Sequence, residues 1–364
     1  MWLSSVARGN IMQRSAQIGI GILAVAVIGG GIYAATRGGS TTSGKDNYTA
    51  ALVTDGGGVD DRSFNQSAWN GLKAYGKANN LKQGTTGYNY FQSSDSSDVK
   101  TNFQTAVKGG YKLVYGVGFA AAPAMNTVAK ANPKTSFAII DAVVPDKNVA
   151  SLMFKSEQSS YLAGVAAAKQ TKSNTVGFIG GVHGDIIDTF EAGFIAGAKA
   201  TNPDIKIMTQ YADSFTDAAK GKTIAASMIA GGADVIFQAA GGTGSGVFAE
   251  AKATDQKLAA DSDKKVWVIG VDMDQKRDGD YTDKDNKKSN FTLVSAVKRV
   301  DNAVESLTNQ GREGKFPGGK TITYGLKEKG VGLAKDSASP EVWSAVEAAQ
   351  KKIIAGDIKV PVHP

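Results

Sequence analysis

The sequence predicts an α/β fold with two parallel sheets in two lobes, behind an apolar N-terminal segment. Three observations predict it. Strand-like and helix-like segments alternate along the body, the strand-like segments end in Asp or Gly, and the first 45 residues differ in composition from the rest. Such alternation marks βαβ units. One sheet holding every strand candidate would be unusually large, so two are expected.

The leader carries Arg8, Arg14, Arg37 and Lys45, and no acid. Between Arg14 and Arg37 lies an apolar core from Ile18 to Ala35, long enough to span a bilayer. A basic flank before an apolar stretch also fits a secretory signal. The flank is N-terminal, which puts the body outside the cytoplasm. Gly38-Gly-Ser-Thr-Thr-Ser-Gly44 reads as a tether, so residues 1–45 are expected to form a signal or membrane anchor with its linker. The chain has no cysteine. Disulfides, thiolate metal sites, a cysteine nucleophile and thioether lipidation are thereby excluded. Tyr33-Ala34-Ala35-Thr36 is similar to the end of a lipoprotein signal with threonine where the lipid-bearing cysteine would stand. Attachment is therefore expected through the apolar segment. Of the formal charge of +7, the leader supplies four, leaving the body near neutral. No basic block with interleaved aromatics occurs, so no nucleic-acid partner is expected.

Tyr48–Thr54 is an apolar run of strand length, followed by Asp55-Gly-Gly-Gly-Val-Asp-Asp-Arg-Ser63-Phe64-Asn65. Trp69, Leu72 and Tyr75 then recur at helical spacing. Ser63 is the expected helix cap. Phe64 has no packing reason to sit on that cap unless it faces a ligand or another lobe. Further strands are expected at 87–91, 113–116, 136–141, 150–154, 175–179, 205–211, 234–238, 266–271 and 291–296. Helices are expected to begin near Ser63, Ser97, Ala121, Ser159, Asp188, Asp217, Ser245, Arg299 and Pro340. The first crossing between lobes is expected at Phe154–Tyr161. Residues 46–156 with about 297–315 would form the first lobe, and 157–296 with about 316–364 the second. The Asp- and Lys-rich run Asp272–Asn290 reads as a solvated loop beside the crossing back.

The strand ends share a chemistry: Asp55, Gly116-Val-Gly118-Phe119, Asp141, Gly180-Gly181, Gln238-Ala-Ala-Gly241-Gly242 and Asp272. In open α/β sheets, ligands bind outside the carboxyl ends of the strands. Acids accept from hydroxyls, and few lysines are available for phosphates. A small, polar, uncharged-to-cationic ligand with several hydroxyls or amides is expected.

Enzyme signals are weak. Gly242-Thr-Gly-Ser-Gly246 is followed by Val247 and Phe248 where a phosphate loop needs Lys and Ser or Thr. Gly116-Val-Gly118-Phe-Ala-Ala121 approximates a dinucleotide fingerprint but lies in the third βα unit, and reads as a tight turn. The only histidines are His183 and His363, and no Gly-x-Ser-x-Gly elbow accompanies His183. Asp60-Asp61 and Asp185/Asp188 lack EF-hand spacing and read as helix caps. No catalytic residue, metal or cofactor is expected.

The stretch Asp55 to Trp69 resembles the opening signature of the basic membrane protein family, substrate-binding proteins of ABC transporters that include purine nucleoside receptor lipoproteins. Phe137-Ala-Ile-Ile-Asp141, Ser160-Tyr-Leu-Ala-Gly164, Val176-Gly-Phe-Ile-Gly180, Phe190-Glu-Ala-Gly-Phe194, Val235-Ile-Phe-Gln-Ala-Ala-Gly-Gly-Thr-Gly244, Trp267-Val-Ile-Gly-Val-Asp272 and Phe316-Pro-Gly-Gly319 follow in the same order. The resemblance implies a type I periplasmic-binding-protein fold, with two Rossmann-like lobes joined by hinge strands. It implies that Phe64 and Phe215 sandwich a base, with Phe237 and Tyr211 as alternatives to Phe215. Asn65 and Asp141 would read the base edge, beside Asp55. Asp272 and Lys298 would hold the ribose, with the Gly241-Gly242 backbone alongside. It implies an extracytoplasmic monomer that binds guanosine, adenosine or inosine and serves an ABC permease and ATPase. A sugar or signalling ligand, or a nucleoside-processing activity, is the competing expectation.

Overall fold

The structure is a computed structural model that describes residues Asn47–Pro364. The apolar run Ile18–Ala35 lies outside the described residues. Among the described residues, no helix is long and apolar enough to cross a membrane.

The first part of the chain runs β1 (Ala50–Val53), α1 (Phe64–Ala78), β2 (Tyr88–Phe91), α2 (Ser96–Lys108), β3 (Leu113–Val117), α3 (Ala122–Ala131), β4 (Ser136–Ile140) and β5 (Val149–Phe154). It then runs α4 (Ser156–Gln170), β6 (Thr175–Gly180), α5 (Asp185–Thr201), β7 (Lys206–Tyr211), α6 (Ala218–Ala230), β8 (Val235–Ala239), α7 (Gly244–Asp255) and β9 (Trp267–Asp272). The remainder is β10 (Asp280–Thr282), β11 (Lys288–Asn290), β12 (Thr292–Lys298), α8 (Val300–Arg312), β13 (Thr321–Tyr324), β14 (Val331–Ala334) and α9 (Pro340–Ala355).

The two large sheets repeat one order, β13-β5-β4-β3-β1-β2 and β14-β12-β9-β8-β6-β7. Neighbours are parallel except β14, which runs against β12. Helices cover both faces, so central strands such as Leu-Val-Tyr-Gly-Val of β3 are apolar throughout rather than alternating. α4 and α5 touch backbone to backbone. A Cβ on Gly193 or Gly197 would come within 2.2 Å and 2.0 Å of the carbonyl oxygens of Glu157 and Tyr161. That close approach explains the glycines in Phe190-Glu-Ala-Gly-Phe194 and its neighbour.

The chain crosses between lobes three times, after β5, after β12 and between β13 and β14. Lys155 N–H donates to Tyr324 O and Arg299 N–H to Gly330 O, both at 2.8 Å, lacing the crossings together. The expectation that everything beyond about 316 belongs to the second lobe is corrected here. β13 pairs with β5 in the first sheet, and only β14 and α9 return to the second. Asp272–Asn290 is not simply solvated either. It holds a short helical turn at Lys276–Gly279 and the β10–β11 pair, with Gln275 and Tyr281 buried beneath.

Candidate functional site

A cavity of about 270 Å³ lies where the carboxyl ends of the two sheets face each other. Asp55, Phe64, Asn65, Asp141, Phe215, Gly241, Gly242, Asp272 and Lys298 all line it. It is small for a ligand site but within reach of the usual range.

The first lobe contributes the turn between β1 and α1. Asp55 Oδ1 accepts from Gly57 N–H at 2.9 Å and from Asn65 Nδ2 at 2.7 Å. Burial raises the Asp55 pKa, against the pull of those two bonds. Asp61 Oδ1 accepts from the backbone N–H of Ser63 and Gln66, and its Oδ2 from the backbone and side-chain nitrogens of Asn65. Asp61 therefore caps α1. The expectation for Ser63 is corrected: its side chain makes no cap bond, because its hydroxyl donates across the cleft to Asp272. Asn65 spends its amide donor on two carboxylates, while its Oδ1 is buried without a partner. A buried acceptor left open costs about 1–3 kcal/mol, and a ligand N–H or O–H would satisfy it.

The second lobe answers with Asp272, at the end of β9. Burial pushes its pKa up to about 6, opposed by Lys298 and the Ser63 hydroxyl. Lys298, at the end of β12, does not pair with Asp272. Its ammonium bonds Asp141 of the first lobe, with the side chains only 3 % and 6 % exposed. The same ammonium sits 4.7 Å from the Phe64 ring centroid, a cation–π contact.

Phe215 reaches the cavity because Gly181 has no side chain. A Cβ there would lie 2.2 Å from the ring. Phe215 O accepts from Thr243 N–H at 3.1 Å, which holds the Gly241-Gly242 turn against it. The alternatives sit elsewhere: Phe237 is fully buried among Phe178, Phe190 and Phe194, and Tyr211 donates to Glu191 at 2.6 Å. His183 stacks on Tyr211 at 4.1 Å, beside Asp188, and does not line the cavity.

Sequence reasoning missed several walls. Phe119 meets Phe215 edge-on at 6.4 Å, and Ile186, Ile187 and Phe190 come from the first turns of α5. Phe119 stands in Gly118-Phe119, a segment whose sequence signals only a tight turn. Asp61 has the sequence signature of a helix cap, which does not by itself mark it as a cavity wall. Among the described residues, no group of three or more acids and histidines could hold a metal. The cavity thus sets four carboxylates, Asp55, Asp61, Asp141 and Asp272, against one ammonium, between aromatic and aliphatic walls. Such a set can accept hydrogen bonds from hydroxyls and amides, and its excess of negative charge opposes a phosphate.

Comparison with known proteins agrees with this architecture. The family described as "ABC transporter substrate-binding protein PnrA-like" matches residues 48–363. The ABC transporter nucleoside-binding protein BmpA of Lactococcus lactis subsp. cremoris is 53% identical over 346 residues, 94% of this chain and 97% of its own. Basic membrane protein D of Borreliella burgdorferi is 35% identical, with 88% and 90% covered. A solute-binding protein of an ABC transporter system from Aeropyrum pernix K1 shares the fold, with a TM-score of 0.73 at 24% identity over 86% of this chain and 93% of that one. Matched along its whole body and carrying two lobes that close on one cavity, the chain belongs to the PnrA-like, basic membrane protein family of ABC transporter substrate-binding proteins.

Proposed function

We propose that the protein captures purine nucleosides outside the cytoplasm and delivers them to an ABC importer. The observation that carries this reading is the cavity wall: two phenyl rings from different lobes, Phe64 and Phe215, beside buried acceptors and one buried ammonium. A base between those rings gains about 1–3 kcal/mol by stacking. Asn65 Oδ1 and Asp55 offer adjacent acceptors to the N–H groups of the base edge. Asp272 accepts from ribose hydroxyls, the Lys298–Asp141 pair lies alongside, and the Gly241-Gly242 backbone completes the sugar side. Three more carboxylates than ammonium groups discriminate against nucleotides. The nucleoside-binding name of the Lactococcus relative supports the same ligand class. The receptor works as a monomer held to the outer face of the membrane by its apolar N-terminal segment, where it meets the permease.

Calorimetry tests this. Guanosine, adenosine or inosine should bind more tightly than cytidine, ribose or glucose. Ribose or glucose binding as tightly as every nucleoside would replace the reading with a sugar receptor. Free base released from inosine during incubation would replace it with an enzyme.

A further inference from the structure

Behind the cavity, two buried glutamines form an ordered chain of amides that ends on the opposite lobe. Gln238 is fully buried and Gln275 is 6 % exposed. Ala240 N–H donates to Gln238 Oε1 at 3.3 Å, and Gln238 Nε2 donates to Gln275 Oε1 at 2.9 Å. Gln275 Nε2 then donates to the backbone oxygen of Arg62, in the first lobe, at 2.9 Å.

The direction of this chain is fixed by chemistry. Val271 N–H also donates to Gln275 Oε1, at 2.9 Å, and a backbone N–H can only donate. The Gln275 oxygen must therefore face its own lobe and its nitrogen must face Arg62. Glycines make the room: a Cβ on Gly244 would lie 2.0 Å from Gln238 Oε1, and one on Gly270 would lie 2.8 Å from Gln275 Oε1. The Gln275 backbone is pinned in turn, its N–H donating to Ser295 Oγ at 3.0 Å. Two buried glutamines placed and satisfied at this cost in packing freedom are a built feature rather than filling.

The receiving residue is equally constrained. Arg62 adopts φ 55°, a left-handed backbone that costs a side-chain-bearing residue energy. Arg62 and Ser63 together make three bonds to the other lobe: the Arg62 carbonyl to Gln275, the Ser63 hydroxyl to Asp272, and the Arg62 guanidinium to Asp278 at 2.9 Å. At its other end the chain begins at Ala240, next to the Gly241-Gly242 turn that lines the cavity.

We propose that Gln275 is a positioning residue for ligand capture: it latches the second lobe onto the Arg62 carbonyl and sets how much of the unliganded receptor is closed. It does not line the cavity. It acts by lowering the cost that the ligand must meet when it closes the lobes.

The test uses Gln275→Glu, which keeps the acceptor for Val271 and Gln238 but presents a carboxylate oxygen to the Arg62 carbonyl. The chain has no cysteine, so Thr101→Cys on α2 and Thr223→Cys on α6, both exposed, take spin labels for distance measurement across the lobes. In unliganded protein, Gln275→Glu should lower the ratio of short to long distances by roughly tenfold, the worth of about one hydrogen bond. Acidification should restore the short distance in Gln275→Glu relative to the parent at the same pH, because a protonated glutamate again donates. Ser63→Ala, which breaks the neighbouring bond of the same seam, should shift the distances the same way and serves if Gln275→Glu does not fold. Unchanged distances in the folded variants overturn the proposal, including when Gln275→Glu melts at lower temperature. The measurement needs no ligand, so it stands apart from the nucleoside assignment on which the word capture rests. With guanosine as probe, dissociation should quicken by a similar factor while association is unchanged.

Discussion

Asp141 and Asp272 hold the same place in the two lobes. Asp141 follows β4, Asp272 ends β9, the equivalent strand of the other sheet, and both adopt a left-handed backbone with φ 63°. Such a backbone is tolerated by aspartate at a cost, and persists where the surroundings over-determine it. Here it brings two carboxylates to one cavity from opposite sides. Their partners then differ: Asp141 takes the Lys298 ammonium and Asp272 the Ser63 hydroxyl.

Asp272 sets a pH dependence for binding. Its carboxyl titrates at about 6 because burial disfavours the charge. Only the ionised form accepts from two hydroxyls without giving up an oxygen to its own proton. Purine nucleoside affinity should fall as pH drops through about 6, approaching tenfold per unit below it. Asp272→Asn should bind roughly tenfold or more weakly at neutral pH, since a charge-assisted bond is worth about 1.5–3 kcal/mol. It should also lose the acid limb. Calorimetry across pH measures both, and an acid limb that survives in Asp272→Asn assigns the titration elsewhere.

Lys298 and Asp141 should show the asymmetry of a buried ion pair. Removing one partner strands a charge and costs about 3–5 kcal/mol, while removing both costs less. Lys298→Met should therefore lower the denaturant midpoint more than Lys298→Met combined with Asp141→Asn. Equal losses would mean that the pair is solvated in solution.

Gly181 should matter to binding as much as the ring it accommodates. A methyl there would overlap Phe215 at 2.2 Å. Gly181→Ala should displace the ring and weaken nucleoside binding by about as much as Phe215→Ala, on the order of tenfold for one lost stacking face. Pyrimidine nucleosides, with smaller bases, should lose less. Parent-like purine affinity in Gly181→Ala would remove Phe215 from the site.

Unliganded stability should run opposite to binding. Burial raises Asp255 and Asp336 to about 7, and Asp272 to about 6. A carboxyl raised on folding holds more protons folded than unfolded between its unfolded value, about 4, and its folded one, so stability falls as pH rises through that window. The unliganded protein should melt at a higher temperature near about pH 5.5, inside the window, than near about pH 8, above it. Asp255→Asn should shrink the difference, because that buried carboxyl, with one oxygen unpartnered, is then neutral throughout.

The strand cores were legible because both faces of each sheet are covered, which leaves unbroken apolar runs at 50–53, 113–117 and 235–237. β13 and β14 were not. Thr-Ile-Thr-Tyr and Val-Gly-Leu-Ala are short and half exposed, and only pairing with distant strands makes them strands. The expected cap of α1 failed for a related reason. Asp61 and Ser63 are both capping residues, and the choice between them is made by Asp272, far away in sequence. The strand-end rule brought the candidate residues to one cavity, but it says nothing about who bonds whom. That Lys298 would neutralise Asp141 rather than serve Asp272 depends on the closed arrangement of two lobes, which no local pattern encodes.

Phe154 ends β5 and Lys298 ends β12, which are equivalent strands, and the residues that follow, Lys155 and Arg299, share nearly the same backbone, φ −81° ψ 66° and φ −79° ψ 56°. The two equivalent side chains meet, with the ammonium 5.3 Å from the ring centroid. Exchanging the lobes would interchange the Asp141 and Asp272 carboxylates, but would put hydrocarbon where the cation had been. The cleft therefore has a head and a tail although its frame is duplicated. A lopsided solute would then have one favoured way round to lie in it.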